Sequence, residues 1–423
     1  MILVAILILC MAGTSYSESY STNGSPQLSA YIEQALERNP TVRQAFGRYQ
    51  AARQRSPQAS SLPDPMLGLA QYLRTPETRV GPQTTMLTLS QQFPWFGKLS
   101  DREKLTAKEA LIFGQQYEAI KAEVVRQIKA AYYSLAYVDQ AVSITEEDLS
   151  VLRHYETLAQ ARYSQGVGLQ QAVVKLQAEI TRDLNRLKVL RSHRVDAEAA
   201  LNNLLDHASE SPIEKVPFGN RPNAEVKYEK LYAMGRDRRP EVRASLLQIE
   251  KDEKRIQLAQ KSYWPDVTLG ASFVNVGQRS DLAGSMSPPE QNGKNVYALT
   301  VGINIPLRRR KYDAAVAEAT EDKIASHEGY RNVLNSVETA IRSIGFRIQT
   351  LDEQILLFER TLLPQAEQSL RSTEAAYSTG TIGVLDLLDS ERVLLEVRLG
   401  LAQLQSDYMK SLAEMERAIG APF

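Results

Sequence analysis

Tyr297-Ala298-Leu299-Thr300-Val301-Gly302-Ile303-Asn304-Ile305 alternates without a break, with Tyr, Leu, Val, Ile and Ile on one side and Ala, Thr, Gly and Asn on the other. A period of two is the period of a strand. An apolar face backed by small and polar residues suits a strand standing between lipid and a watery lumen. Thr84 to Phe93 reads the same way, with Leu87, Leu89 and Phe93 opposed to Met86, Thr88, Ser90 and Gln92. Met66 to Leu73 and Val267 to Val274 precede these runs and make each the second arm of a β-hairpin. Each strand has roughly 8 to 10 residues, near the length that crosses a tilted bilayer path. Four strands cannot close a barrel, and an open edge in lipid leaves N–H and C=O groups unpaired. Several chains must therefore pool their strands.

The flanks fit that reading. Phe93, Trp95 and Phe96 leave the first hairpin, and Tyr263 and Trp264 enter the second, so all five lie at one end of the strands. An aromatic girdle at a membrane interface has this arrangement. The opposite end carries polar loops, Arg74 to Gln83 and Asn275 to Asn295. Arg308, Arg309, Arg310 and Lys311 follow the last strand on the girdle side, as a solvated run or as neighbours of phospholipid headgroups.

Working outward, the chain repeats itself. Asn39-Pro40-Thr41-Val42-Arg43 is echoed by Arg239-Pro240-Glu241-Val242-Arg243, and Pro63-Asp64 by Pro265-Asp266. Leu87-Thr88 before Pro94 is echoed by Leu299-Thr300 before Pro306, and Tyr163-Ser164-Gln165-Gly166 by Tyr377-Ser378-Thr379-Gly380. The echoes keep their order, with offsets from 200 (Pro40 to Pro240) to 214 (Tyr163 to Tyr377), the signature of a tandem duplication. Residues 1–17 read as a leader, 18–205 as a first repeat, 206–239 as a linker and 240–423 as a second repeat.

Each repeat opens with a helix starting at a proline, passes through its hairpin, and continues into a helix of roughly 65 residues, ~100 Å long. A glycine turn and a helix of roughly 35 residues follow. Val124, Ile128, Ala131, Leu135, Val138, Val142, Leu149 and Leu152 fall at three- and four-residue steps, as do Leu169, Val173, Leu176, Ile180, Leu187 and Leu190. That is coiled-coil spacing. The fold class is therefore mostly α with β: long coiled-coil hairpins plus membrane strands.

Composition excludes several function classes. Formal net charge is zero, so no basic field argues for nucleic acid. The only cysteine is Cys10, inside the apolar run Ile2 to Met11. That run is too short to span a bilayer and precedes small polar residues, as a cleaved signal peptide does. No Lys or Arg precedes it, which points to a start further upstream or a truncated segment. Lipidation at Cys10 is the alternative, with Leu9 larger than that chemistry expects. His154, His193, His207 and His327 are scattered, the methionines are dispersed, and no phosphate-cradling loop or nucleophile–base pair occurs. We expect no metal ligation, no cofactor and no catalysis.

With these features the chain resembles the TolC family of outer-membrane efflux proteins, over Leu28 to Gly420. Leu62-Pro63-Asp64-Pro65 and Gln92-Phe93-Pro94-Trp95-Phe96-Gly97-Lys98 are similar to its heavy-metal branch, and Leu362-Leu363-Pro364-Gln365-Ala366-Glu367 to the family at large, with a kink expected at Pro364. The resemblance implies a homotrimer with a twelve-stranded barrel, a periplasmic helical tunnel, and an equatorial region at Asp206 to Arg239. It implies a passive exit duct, with metal cations one cargo class, served by a periplasmic adaptor and an inner-membrane RND or ABC pump. Protein secretion and drug efflux are alternatives within the fold, and a poreless coiled-coil scaffold is the alternative outside it.

The two glycine turns are then the tips of helical hairpins. Asp386 and Asp389 sit one helical turn apart after the second, so their carboxylates share a face, and they align with the family's acidic constriction. Tyr163, Gly166, Gly168, Tyr377, Gly380 and Gly383 resemble the surface that meets the adaptor. Ile382 departs from the best-known member, where an arginine helps lock the tip, which leaves open how this tip is held shut.

Overall fold

The computed structural model describes residues 25–219 and 221–423; the leader at 1–17 and Cys10 lie outside the described residues. The chain runs α1 (Pro26–Arg38), α2 (Pro40–Ser60), β1 (Met66–Gln71), β2 (Glu77–Thr78), β3 (Gly81–Phe93), α3 (Lys98–Ser164) and α4 (Gln170–Leu205). A second series follows: α5 (Tyr228–Arg238), α6 (Pro240–Lys261), β4 (Val267–Val276), α7 (Leu282–Met286), β5 (Val296–Ile303), α8 (Arg309–Leu357), α9 (Leu363–Ser378) and α10 (Val384–Ile419).

Prolines set the helix breaks. Asn39 and Arg239, each ahead of a proline, both take ψ 124, out of the helical region that proline denies its predecessor. Pro40 and Pro240 then open α2 and α6, each directly after a shorter helix, α1 or α5. The kink expected at Pro364 takes a particular form. Phe358–Leu362 is a π-helical turn in which the Leu363 N–H reaches back five residues to the Phe358 carbonyl. Proline has no N–H and crowds the carbonyl four residues earlier, so the wider turn relieves the helix just where α9 begins. Phe358 faces α10 at Gly400, where a Cβ would come within 3.0 Å of its ring.

Two compact units form, and each draws on both halves of the chain. One holds the segment ending at Asn39 with Ala122–Arg239 and Glu338–Phe423; the other holds Pro40–Lys121 and Pro240–Val337. The first is a helical unit whose buried residues include Leu28, Ile128, Tyr132, Leu201, Ile341, Ile355, Tyr408 and Ile419. Fully burying each of these aliphatic side chains stabilises by about 1.5–3 kcal/mol.

The second unit carries the sheet. Its long strands are ordered β1-β3-β4-β5, every neighbour antiparallel, while β2 pairs only with β3. Register turns alternation into a surface. Leu69, Leu87, Phe273 and Tyr297 form one cross-strand row, and Leu67, Leu89, Ala271 and Leu299 the next. Gly68, Thr88, Ser272 and Ala298 make a row of the opposite face. The apolar face is open: Leu69 is 72% exposed and Leu299 89%. Gly81 (φ +125) lets the chain pass the Gly277 carbonyl, which a Cβ would meet at 1.8 Å. The outer edges of β1 and β5 have no strand partner among the described residues.

Candidate functional site

Within the helical unit, α3/α4 and α9/α10 each turn back through a glycine. At the first turn the Gly166 N–H donates to the Tyr163 carbonyl and the Val167 N–H to the Arg162 carbonyl. At the second the Gly380 N–H donates to Tyr377 and the Thr381 N–H to Ala376. Both are Schellman closures, with the glycines at φ +75 and +79, a region other residues enter only with strain. Gly168 is needed for a second reason: a Cβ there would lie 3.0 Å from the Arg162 Cβ. Gly383 is the extended residue ahead of α10, and no side chain caps that helix.

Beneath the turns lies an apolar cluster built by Leu152, Tyr155, Leu176, Leu370, Tyr377, Leu387 and Leu388, with Ile382 packed against it. Helical spacing explains which neighbours stay out. Leu387 and Leu388 face the cluster, so Asp386 and Asp389 face away and are exposed. Asp386 falls in the first turn of α10, where a carboxylate complements the helix dipole.

The two carboxylates are not alone. A groove of about 520 Å³ is lined by both of them and by Lys175, Arg182 and Arg392. Arg182 and Arg392 both hold Glu179, so three cations of α4 and α10 border the acidic pair. A second groove of about 350 Å³ runs between the turns, lined by Val167, Leu169, Tyr377, Ile382, Leu385 and Asp386 among others.

Arg162 spans the two turns. Its guanidinium lies over the Tyr377 ring at 4.7 Å, and its Nη2 donates to the Ser378 carbonyl at 2.6 Å. One side chain thus ties the first turn to the second. The sequence carried a signal for it: Tyr163 follows an arginine, whereas its counterpart Tyr377 follows Ala376. The two tyrosines, read alike from the repeat, part company here. Tyr377 is 7% exposed and belongs to the cluster, while Tyr163 is 47% exposed. Of the two tyrosines matched to an adaptor surface, Tyr377 offers the less of its side chain.

In the other unit, several aromatic residues at the strand ends make ring contacts. Trp95 stacks on Trp264 at 5.1 Å and 9°, Phe96 meets Trp95 edge-on at 5.8 Å, and Tyr263 packs against Tyr312 at 5.6 Å. Phe93 is exposed at the end of β3. Beneath the stack, the buried Lys98 Nζ donates to Asp266 Oδ1 at 2.7 Å and to the Trp264 carbonyl at 2.8 Å. The Trp95 N–H donates to the same Oδ1 at 2.8 Å. Burial pulls the Asp266 carboxyl up, but Lys98 and the Trp95 N–H outweigh it and hold it below the usual range. This clasp between hairpins was not legible from the motif that contains Lys98. No group of three or more His, Cys, Asp or Glu among the described residues is arranged to hold a metal. No described helix is long and apolar enough to cross a membrane.

Comparison with known proteins gives a consistent result. The family model described as outer membrane efflux protein matches residues 31–207 and 231–421. Nodulation protein T of Rhizobium leguminosarum bv. trifolii is 22% identical over 414 residues, covering 94% of this chain and 86% of that protein. Outer membrane protein TolC of Vibrio cholerae serotype O1 is 21% identical over 317 residues, covering 74% and 71%. The crystal structure of outer membrane protein VceC from Vibrio cholerae has the same fold, with a TM-score of 0.76 at 22% identity over 94% of this chain and 97% of that one.

Proposed function

We propose, from the premise that the chain belongs to the outer membrane efflux protein family, that its sheet is one third of a closed barrel and its paired turns are the inner end of a tunnel. The observation that carries this reading is the sheet itself. One face carries the large apolar rows through Leu69, Leu87, Phe273 and Tyr297 and through Leu67, Leu89 and Leu299. The other is mostly small and polar over the rows through Thr88 and Ser90, with Met86, Val274 and Val296 in one row of it, and the two outer edges are unpaired among the described residues. Each backbone group left unpaired in hydrocarbon costs several kcal/mol, so a lone sheet cannot rest in lipid. A trimer gives about twelve strands, a common size class for a barrel with a watery lumen.

The protein then works as a passive exit duct of a tripartite efflux system in the outer membrane. Phe93, Trp95, Phe96, Tyr263 and Trp264 mark the interface with outer-membrane lipid. The energy comes from an inner-membrane pump, RND or ABC, reached through a periplasmic adaptor that meets the turns at Tyr163, Gly166, Gly168, Gly380 and Gly383. Asp386 and Asp389, exposed on each copy, ring the constriction and draw cations to it. Metal cations are the cargo class that the Leu62–Pro65 and Gln92–Lys98 motifs favour.

The test is to extract the protein from outer membranes in detergent, measure its mass by light scattering, and record single channels in planar bilayers. Replacing Asp386 and Asp389 together by Ala should weaken block by multivalent cations about tenfold or more. Unchanged block would reduce the pair to solvated surface. A monomer in detergent, or recovery only from soluble periplasm, would sink the barrel.

A further inference from the structure

Acids interrupt the packing of the helical unit. Asp148 comes from α3, Asp183 from α4 and Glu391 from α10, and they are 7%, 3% and 6% exposed. Together with Leu152, Leu388 and Leu395 they line a groove of about 310 Å³. Asp148 is within hydrogen-bonding reach of both Asp183 and Glu391. Oδ2 of Asp183 and Oε2 of Glu391 nonetheless have no partner among the described groups. A carboxylate is an acceptor only, so no pair of these groups can hydrogen-bond unless one carries a proton.

The surrounding charges do not remove that requirement. From α4, Arg186 lies 3.2 Å from Asp183, but Arg182 is taken by Glu179. From α10, Arg392 is also on Glu179, Arg398 is 3.5 Å from Glu147, and Glu396 adds a further negative charge at the groove. From α9, Glu374 accepts a hydrogen bond from the Tyr155 hydroxyl of α3 and adds its charge near Glu391. Three arginines, Arg182, Arg186 and Arg392, face five acids around the site, Asp148, Glu179, Asp183, Glu391 and Glu396, which leaves the set short of positive charge. No metal-holding arrangement among the described residues makes up the difference.

We propose that Asp148, Asp183 and Glu391 form a proton-binding site that clasps α3, α4 and α10 together when protonated and lets them part when it empties. Burial, the largest cause, pushes Asp148 up to about 7 and Asp183 up to about 8, and raises Glu391 as well. The folded values lie above the unfolded ones, so the folded state binds more protons. The stabilisation is complete below the ordinary carboxylate range, near pH 4, and is lost as pH rises through about 7 to 8. Glu391 follows Asp389 by two residues on α10, so the clasp bears on the helix that carries the acidic pair. It rests on helix packing alone and operates whether or not the turns form a gate.

Hydrogen exchange on the full-length protein in detergent tests it, at about pH 5.5 and about pH 8.5 and corrected for the intrinsic effect of pH. In the wild type, protection of peptides covering 145–152, 180–187 and 388–395 should fall about tenfold or more between the two. In Asp183→Asn, which keeps the shape of the neutral acid and its hydrogen bonds, the fall should shrink to about twofold or less. Should that variant not assemble, Asp148→Asn is read in the same way. A flat response in the wild type, or an equal fall in wild type and variant, overturns the proposal.

Discussion

The turns at Gly166 and Gly380 share a motif and a backbone but not their packing. Both close by the same pair of main-chain hydrogen bonds, and their glycine φ angles differ by four degrees, +75 against +79. Yet the first exposes its tyrosine and carries no acid, while the second buries its tyrosine and is followed by Asp386 and Asp389. A positive φ constrains the main chain alone. What surrounds each turn is set by the face its helices bury: the second hairpin puts Tyr377, Leu387 and Leu388 into the cluster, and the first puts Leu152, Tyr155 and Leu176 there but leaves Tyr163 outside.

The contrast between the turns is most exposed to refutation at the tyrosines. Tyr377→Ala removes a buried ring from the cluster and should cost about 3 kcal/mol or more, whereas Tyr163→Ala should cost about 0.5 kcal/mol or less. Local unfolding free energies from hydrogen exchange measure both, and equal costs would show that the repeat, not the packing, governs the turns. The glycines address what the turns have in common. A Cβ added at either Gly166 or Gly380 would meet no atom within 4 Å, so Ala at either should cost about 1–2 kcal/mol of backbone strain alone, and equally. A difference well beyond the error of paired thermal melts would reveal an unequal environment. Smallest is the effect at the bridge. Arg162→Ala removes one cation–π contact and one hydrogen bond to a carbonyl, about 1 kcal/mol in all, and should raise exchange at both turns together. Raised exchange at the first turn only would mean that the bridge does not couple them.

Much of the fold was legible because it is local. Alternation from Tyr297 to Ile305 marked the strand and its faces, and register carried those faces across the sheet. Glycine positions marked both turns, and prolines the helix starts. What stayed hidden depends on partners far away in sequence. Lys98 reaches Asp266 across 168 residues, and nothing near either marks the other. The π-helical turn needed more than Pro364, since proline predicts a break without fixing which carbonyl the next N–H will find.

The acid cluster lies between these cases. Asp183 fills the step between Ile180 and Leu187 in an otherwise apolar seam, and Glu391 fills the step between Leu388 and Leu395. A polar residue at a seam position is visible in one sequence, but its companions on other helices are not.

The stacked indoles lend the molecule an optical property. Trp95 and Trp264 are the only two tryptophans in the chain, and they lie face to face at one junction between the hairpins. All indole emission, and any exciton signal in the near-ultraviolet, therefore arises from that single point. The helical unit holds tyrosines but no tryptophan, so its turns can loosen without changing that signal. The protein carries its own label in the unit that holds the sheet, and in the helical unit it is silent at the indole wavelengths.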